Sequence, residues 1–233
     1  MKCDALPEFA GHSCIQGRRA NMEDRYIMDN FSSIPDHSLL AIFDGHAGTK
    51  AANYCSSNLL SILESNANWM KYINLMKNSK SKNSDKLVAL ISKALVEAYI
   101  ELDKGFLLSL YKEELKVDTN KHINDIEFGN IAARIVDYKY ETQSFCSGCT
   151  AVCSIVTPTN VIVANCGDSR CIISGIDKES KGNNHIYSTV TMTDDHKPET
   201  LEEKERIEDA EGFVHDNRVD GCLAMSRAIG DFE

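Results

Sequence analysis

Several things are missing from this chain, and each absence closes off a class of function. No apolar run approaches the ~18 residues that a membrane-spanning helix needs. The start, Met1-Lys-Cys-Asp, has no apolar core of a secretory leader, and Lys2 in place of glycine excludes myristoylation at this start site. Basic residues are in deficit: 25 Lys and Arg face 35 Asp and Glu, a formal charge of −10. Nonspecific nucleic-acid binding depends on clustered cations, so that class is excluded too. Nor is there a regular cysteine framework. The nine cysteines are an odd number, and Cys55, Cys153, Cys166 and Cys171 lie in or near apolar segments. They read as buried, reduced thiols of a cytoplasmic or nuclear protein. Cys146 and Cys149 have CxxC spacing but neither a second pair nor nearby histidines, so a zinc or redox site is not indicated.

What is present is a 233-residue chain, 42% hydrophobic, enough for one domain with a sizeable core. Its centre of interest is Leu39-Leu-Ala-Ile-Phe-Asp-Gly-His-Ala-Gly48. The apolar run predicts a buried strand that ends at Asp44. Gly45 permits close backbone approach, and His46 opens a segment of helical periodicity. A carboxylate, an accessible carbonyl and an imidazole within three residues can hold a hard divalent cation and place a proton donor beside it. The same residues also suit a plain helix start, with Asp44 as N-cap.

Upstream, Arg18 and Arg19 precede the adjacent acids Glu23 and Asp24, and residues 25–31 predict a strand. The arginine fork suits a phosphate. From His46 to about Leu63, and from Val88 to Phe106, apolar steps of three and four predict amphipathic helices, with a polar loop over 66–85 between them. After residue 145 the pattern becomes short strands: 148–156, 161–164, 171–173 and 186–192. Asp168 falls on a tight connection, where a ligand or a turn hydrogen bond would use it. His196 before Pro198 suits a local turn. A charged helix over 199–210 and a small hairpin over 213–219 close the pattern.

Seven stretches together resemble the PP2C family of metal-dependent protein serine/threonine phosphatases: Gly17-Arg-Arg-Ala-Asn-Met-Glu-Asp24, Ile42-Phe-Asp-Gly-His-Ala-Gly48, Gly148-Cys-Thr-Ala151, Asn165-Cys-Gly-Asp-Ser-Arg170, Asp195-His-Lys-Pro198, Glu203-Lys-Glu-Arg-Ile207 and Leu223-Ala-Met-Ser-Arg-Ala-Ile-Gly-Asp231. They occur in the family's order across nearly the whole chain. The resemblance implies an α+β fold, an αββα sandwich of two mainly antiparallel sheets flanked by helices. It implies two Mg²⁺ or Mn²⁺ ions, with a weaker third, and phosphoprotein substrates. Position by position, Arg19 resembles the phosphate-binding arginine and His46 the general acid. Asp44, the Gly45 carbonyl, Glu23, Asp24 and Asp168 resemble the metal-binding set. The implied reaction is attack of a metal-bridging hydroxide on phosphoserine or phosphothreonine, without a covalent phospho-enzyme, so Cys149 is no nucleophile.

Two departures modify that expectation. Residues 111–145 exceed the usual family length and suggest an insertion. The chain stops at Glu233, before the family's later Asp-Gly and Asp-Asn, so a single domain incomplete at its C-terminus, with strands missing, is expected. The rival expectation is a catalytically inactive relative serving as a binding scaffold. A nuclease-like metallohydrolase fits the acids but not the negative surface. Oligomeric state has no signature.

Overall fold

The computed structural model describes residues 10–78, 84–115, 143–176 and 187–232. Its spine is a four-stranded antiparallel sheet in the order β1-β2-β5-β6, with β1 Arg25–Asn30, β2 Ser38–Phe43, β5 Ala151–Val156 and β6 Val161–Cys166. Ala41 pairs Ile27 on one side and Cys153 on the other, which fixes the register across the middle. The period-2 alternation of β2 sends Leu39, Ala41 and Phe43 into the core and leaves Leu40 and Ile42 on the opposite face.

The core face is covered by α1 Lys50–Ser65, α2 Ala67–Asn78 and α3 Ser84–Leu115. Ala51, Cys55, Leu59 and Leu63 of α1 are fully buried, and Ile91, Leu95, Leu102 and Phe106 of α3 nearly so. Both stripes follow the expected spacing, although α3 is longer than the predicted helix at each end. The region expected to be a polar loop over 66–85 instead contains α2. Asn66 starts it by accepting from the backbone N–H of Asn68 (2.8 Å) and Trp69 (3.2 Å). Trp69 and Tyr72, one turn apart, are buried: the Trp69 ring lies 4.2 Å from Phe31, and the Tyr72 ring 5.3 Å from Trp69 and 5.6 Å from His37. Two aromatic anchors outweigh the surrounding Asn and Lys. The expected insertion over 111–145 lies mostly outside the described residues; within them, α3 runs on to Leu115 and a 3-10 turn spans Gln143–Cys146.

A second, three-stranded sheet sits at one end of the first. Its order is β11-β4-β3, with β3 Gly45–His46, β4 Gly148–Cys149 and β11 Ile229–Gly230. On the face away from the helices, Cys171 and Ile172, the latter opening the hairpin of β7 Ile172–Ile176 and β8 Tyr187–Thr191, line a cleft of about 370 Å³ with Tyr26, Ile42 and Val152. A charged helix, α4 Leu201–Asp209, and the hairpin of β9 Val214–His215 and β10 Arg218–Val219 follow as expected. The class is therefore the expected one, α+β with antiparallel sheets flanked by helices. No described helix is long and apolar enough to cross a membrane.

Candidate active site

Asp44 leaves β2 where the sequence pattern ends the strand, but His46 does not open a helix. It belongs to β3, paired with Gly148. Ala47 (φ 51°) and Gly48 (φ 114°) are left-handed, which stops helical geometry until Thr49. Thr49 makes no side-chain cap, and Ser147 Oγ instead accepts from the N–H of Ala51 at 3.3 Å. Helical periodicity was thus real but began four residues late.

Thr150, between β4 and β5, holds Asp44 on both backbone sides. Its Oγ1 accepts the Asp44 N–H at 3.2 Å, and its own N–H donates to the Asp44 carbonyl at 2.9 Å. The same hydroxyl lies 2.7 Å from Ser169 Oγ, next to Asp168. One threonine therefore ties together two acids that are 124 positions apart. Gly45 is needed for packing: a Cβ there would sit 2.5 Å from the Glu23 carbonyl oxygen. Glu23 closes the loop by accepting the Gly48 N–H at 3.0 Å.

The electrostatics show how close the acids are. Burial pushes the Asp44 carboxyl up from its ordinary value; the charges of Asp24 and Asp168 push it further, as does a hydrogen bond shared with Asp24, against the opposing pull of His46. His46 behaves in the opposite way. Burial draws its imidazole down, but the hydrogen bond and charge of Asp231, with Asp44 and Glu23 beyond, outweigh it and the net shift is upward. His46 Nε2 lies 2.7 and 2.8 Å from the two Asp231 oxygens. Its Nδ1 is buried and without a hydrogen-bond partner among the described residues, a state that costs about 1–3 kcal/mol unless something else meets it.

The structure therefore brings together Glu23, Asp24, Asp44, Gly45, His46 and Asp168. It does not bring Arg19 to them by any hydrogen bond or ion pair among the described residues. Arg19 is exposed, and its backbone carbonyl accepts from the Gln16 side chain at 2.8 Å. His196 does not serve the local turn expected of it: its Nδ1 accepts the Gly167 N–H at 3.0 Å and its own N–H donates to the Gly167 carbonyl at 3.1 Å, tying its segment to the Asp168 loop. Asp168 is ion-paired with Lys197. Asp231 and Asp103, which accepts the Gly230 N–H at 2.9 Å, were given no role by sequence reasoning. Asp231 stands in a quoted motif, but 185 positions from His46 no local spacing could announce the pair.

Does the donor set suit a divalent cation? A carboxyl pushed up by burial and by neighbouring carboxylates, as Asp44 is, is what an oxygen-ligated Mg²⁺ or Mn²⁺ relieves. The chemistry fits. Among the described residues no group of three or more His, Cys, Asp or Glu is already closed around one point. Glu23 is turned to Gly48 and Asp168 to Lys197.

The class is thus defined by its scaffold and its site: an α+β fold of antiparallel sheets with an acid cluster at their joined ends and an imidazole on its rim. Residues 10–233 match the family model described as Protein phosphatase 2C. The chain is 35% identical over 227 residues to "Protein phosphatase ppm-1.A" of Caenorhabditis elegans, covering 96% of this chain and 39% of that protein. It is 32% identical over 219 residues to "Probable protein phosphatase 2C 6" of Paramecium tetraurelia, covering 94% and 58%. The fold is similar to the crystal structure of a serine-threonine phosphatase 2C from Toxoplasma gondii, with TM-score 0.66, 21% identity, and coverage of 92% of this chain and 65% of that one. The chain belongs to the protein phosphatase 2C family. It spans 39% and 58% of the length of the two curated relatives it is compared with here.

Proposed function

We propose that this chain forms part of one catalytic domain of a metal-dependent protein serine/threonine phosphatase, acting on phosphoproteins in a reducing compartment, cytoplasmic or nuclear. The observation that carries this reading is the crowding of Asp44 by Asp24 and Asp168 beside His46. Asp44 and the Gly45 carbonyl would hold two Mg²⁺ or Mn²⁺ ions, Glu23 and Asp24 would support their water shell, and Asp168 would take a weaker third. When bound, such ions supply an activated water at neutral pH and neutralise phosphoryl charge.

The chain's own residues do the rest. Arg19, exposed and without an ion-pair partner among the described residues, grips the phosphate through two parallel N–H bonds and aligns it for in-line displacement. His46 gives a proton to the seryl or threonyl oxygen as its bond to phosphorus breaks, so the alcohol leaves neutral. Glu23 and Thr150 keep the Asp44–Gly48 loop in shape while this happens.

The test is phosphate release from a phosphothreonine peptide with Mn²⁺, using the full-length protein and its Asp44→Asn variant. The variant should lose on the order of 10²-fold or more, the scale of removing one preorganised charge at the reacting centre. Equal rates would remove Asp44 from the mechanism. Absence of hydrolysis by wild type at any Mn²⁺ concentration would favour the scaffold alternative.

A further inference from the structure

We propose that Asp231 is a positioning residue for His46, held in place by Asp103 of α3; this rests on the phosphatase reading above. The three-stranded sheet carries His46 on one edge strand and ends at Asp231 beyond the other edge, with β4 between them. Asp231 reaches across β4 at a single residue. That residue is Gly148, where a Cβ would lie 2.4 Å from both Asp231 oxygens. No other side chain fits under the Asp231–His46 bridge, so glycine there leaves a window for it.

The backbone of Asp231 is anchored on three sides. Its N–H donates to the Ser147 carbonyl at 3.3 Å, the next residue's N–H donates to the Phe145 carbonyl at 3.1 Å, and the preceding Gly230 N–H donates to Asp103 at 2.9 Å. Gly230 (φ 93°) and Asp231 (φ 55°) are both left-handed, a turn that lifts the carboxylate out of the strand direction toward His46. A non-glycine residue in that conformation points to a conformation imposed by its surroundings.

The chemical consequence follows from which nitrogen is used. Both Asp231 oxygens face Nε2, so Nε2 carries a hydrogen and the ring cannot rotate freely. Nδ1 is left as the buried nitrogen with no hydrogen-bond partner among the described residues. In the reaction the protonated His46 ring gives one proton to the leaving seryl or threonyl oxygen while the P–O bond breaks. The neutral ring stays held by Asp231, and the proton released by the attacking water restores its charge.

Two substrates separate positioning from mere structure. A seryl or threonyl alkoxide needs its proton; p-nitrophenolate leaves without one. Asp231→Ala should lower kcat on a phosphothreonine peptide by about 10-fold or more, toward the loss expected for His46→Ala. It should change p-nitrophenyl phosphate turnover by less than about 3-fold, and the double variant should be no worse than His46→Ala, since the two act as one unit. Asp231→Asn keeps one acceptor oxygen and should recover part of the loss. Equal losses on both substrates, or additive losses in the double variant, would overturn the proposal. So would a faster peptide reaction in Asp231→Ala. The contact itself is read independently by ¹⁵N NMR of the metal-free protein, where His46 should carry its hydrogen on Nε2. A hydrogen found on Nδ1 alone would overturn the proposal whether or not any substrate is turned over. A protein that shows the expected NMR signature but hydrolyses neither substrate would leave Asp231 beside His46 and remove the phosphatase reading instead.

Discussion

Asp44 is crowded by its own side, and that makes its neutral variant informative twice. Asp44→Asn removes a charge that Asp24 and Asp168 oppose. Without metal, its thermal midpoint should therefore equal or exceed that of wild type; a clear fall would mean that the carboxylate is a structural partner rather than a ligand. Glu203 presents the reverse case. Burial alone would push its carboxyl up, but Arg227 and Arg206 hold it down at about 2, below its ordinary 4.5. Arg227 binds it at 2.6 and 3.0 Å and Arg206 at 2.9 Å. A depressed carboxylate stabilises the fold fully above the unfolded value and loses that contribution as pH falls through the folded one. Between pH 4.5 and 2, wild type should lose on the order of 3 kcal/mol through this group. In urea unfolding, Glu203→Gln should start less stable at pH 7 and fall less steeply over that window. An identical pH slope would deny Glu203 this role.

The loop from β2 to α1 is built around residues with no side chain to spare. Gly45→Ala would press a methyl group into the backbone of Glu23, which cannot rotate away as a side chain could. Denaturant unfolding should show a loss of roughly 1–3 kcal/mol, as for overpacked cores. A neutral substitution would show that the Glu23 segment yields. The same loop shows where sequence patterns stop short. The end of β2 at Asp44 was legible from its apolar run, because alternation and burial act locally. The place of His46 in β3 was not, because it depends on pairing with Gly148, more than 100 positions away. Helix α2 hid for another reason: its buried face is only Trp69 and Tyr72, with Ile73 and Met76 packed alongside, in a segment otherwise polar. Trp69→Ala should cost about 3–5 kcal/mol, which unfolding can check; a change under 1 kcal/mol would make α2 peripheral.

Across the whole molecule, the acids at 23, 24, 44 and 168 were legible as candidates because their residue types suit a hard cation. Their convergence was not, since it depends on tertiary contacts: Thr150 joins Asp44 to the Asp168 loop, and Glu23 accepts the Gly48 N–H. Arg19 remains legible only by resemblance, for its guanidinium meets none of the acids among the described residues. The central claim is that these carboxylates bind a divalent ion as a group. Calorimetric titration of Mn²⁺ into the full-length protein, wild type beside Asp44→Asn, addresses it without needing a substrate. Wild type should bind Mn²⁺ saturably and gain about 2.7 kcal/mol of stability at 100-fold excess over Kd, and Asp44→Asn should lose most of that binding. Equal Mn²⁺ affinity in the two proteins would contradict the account.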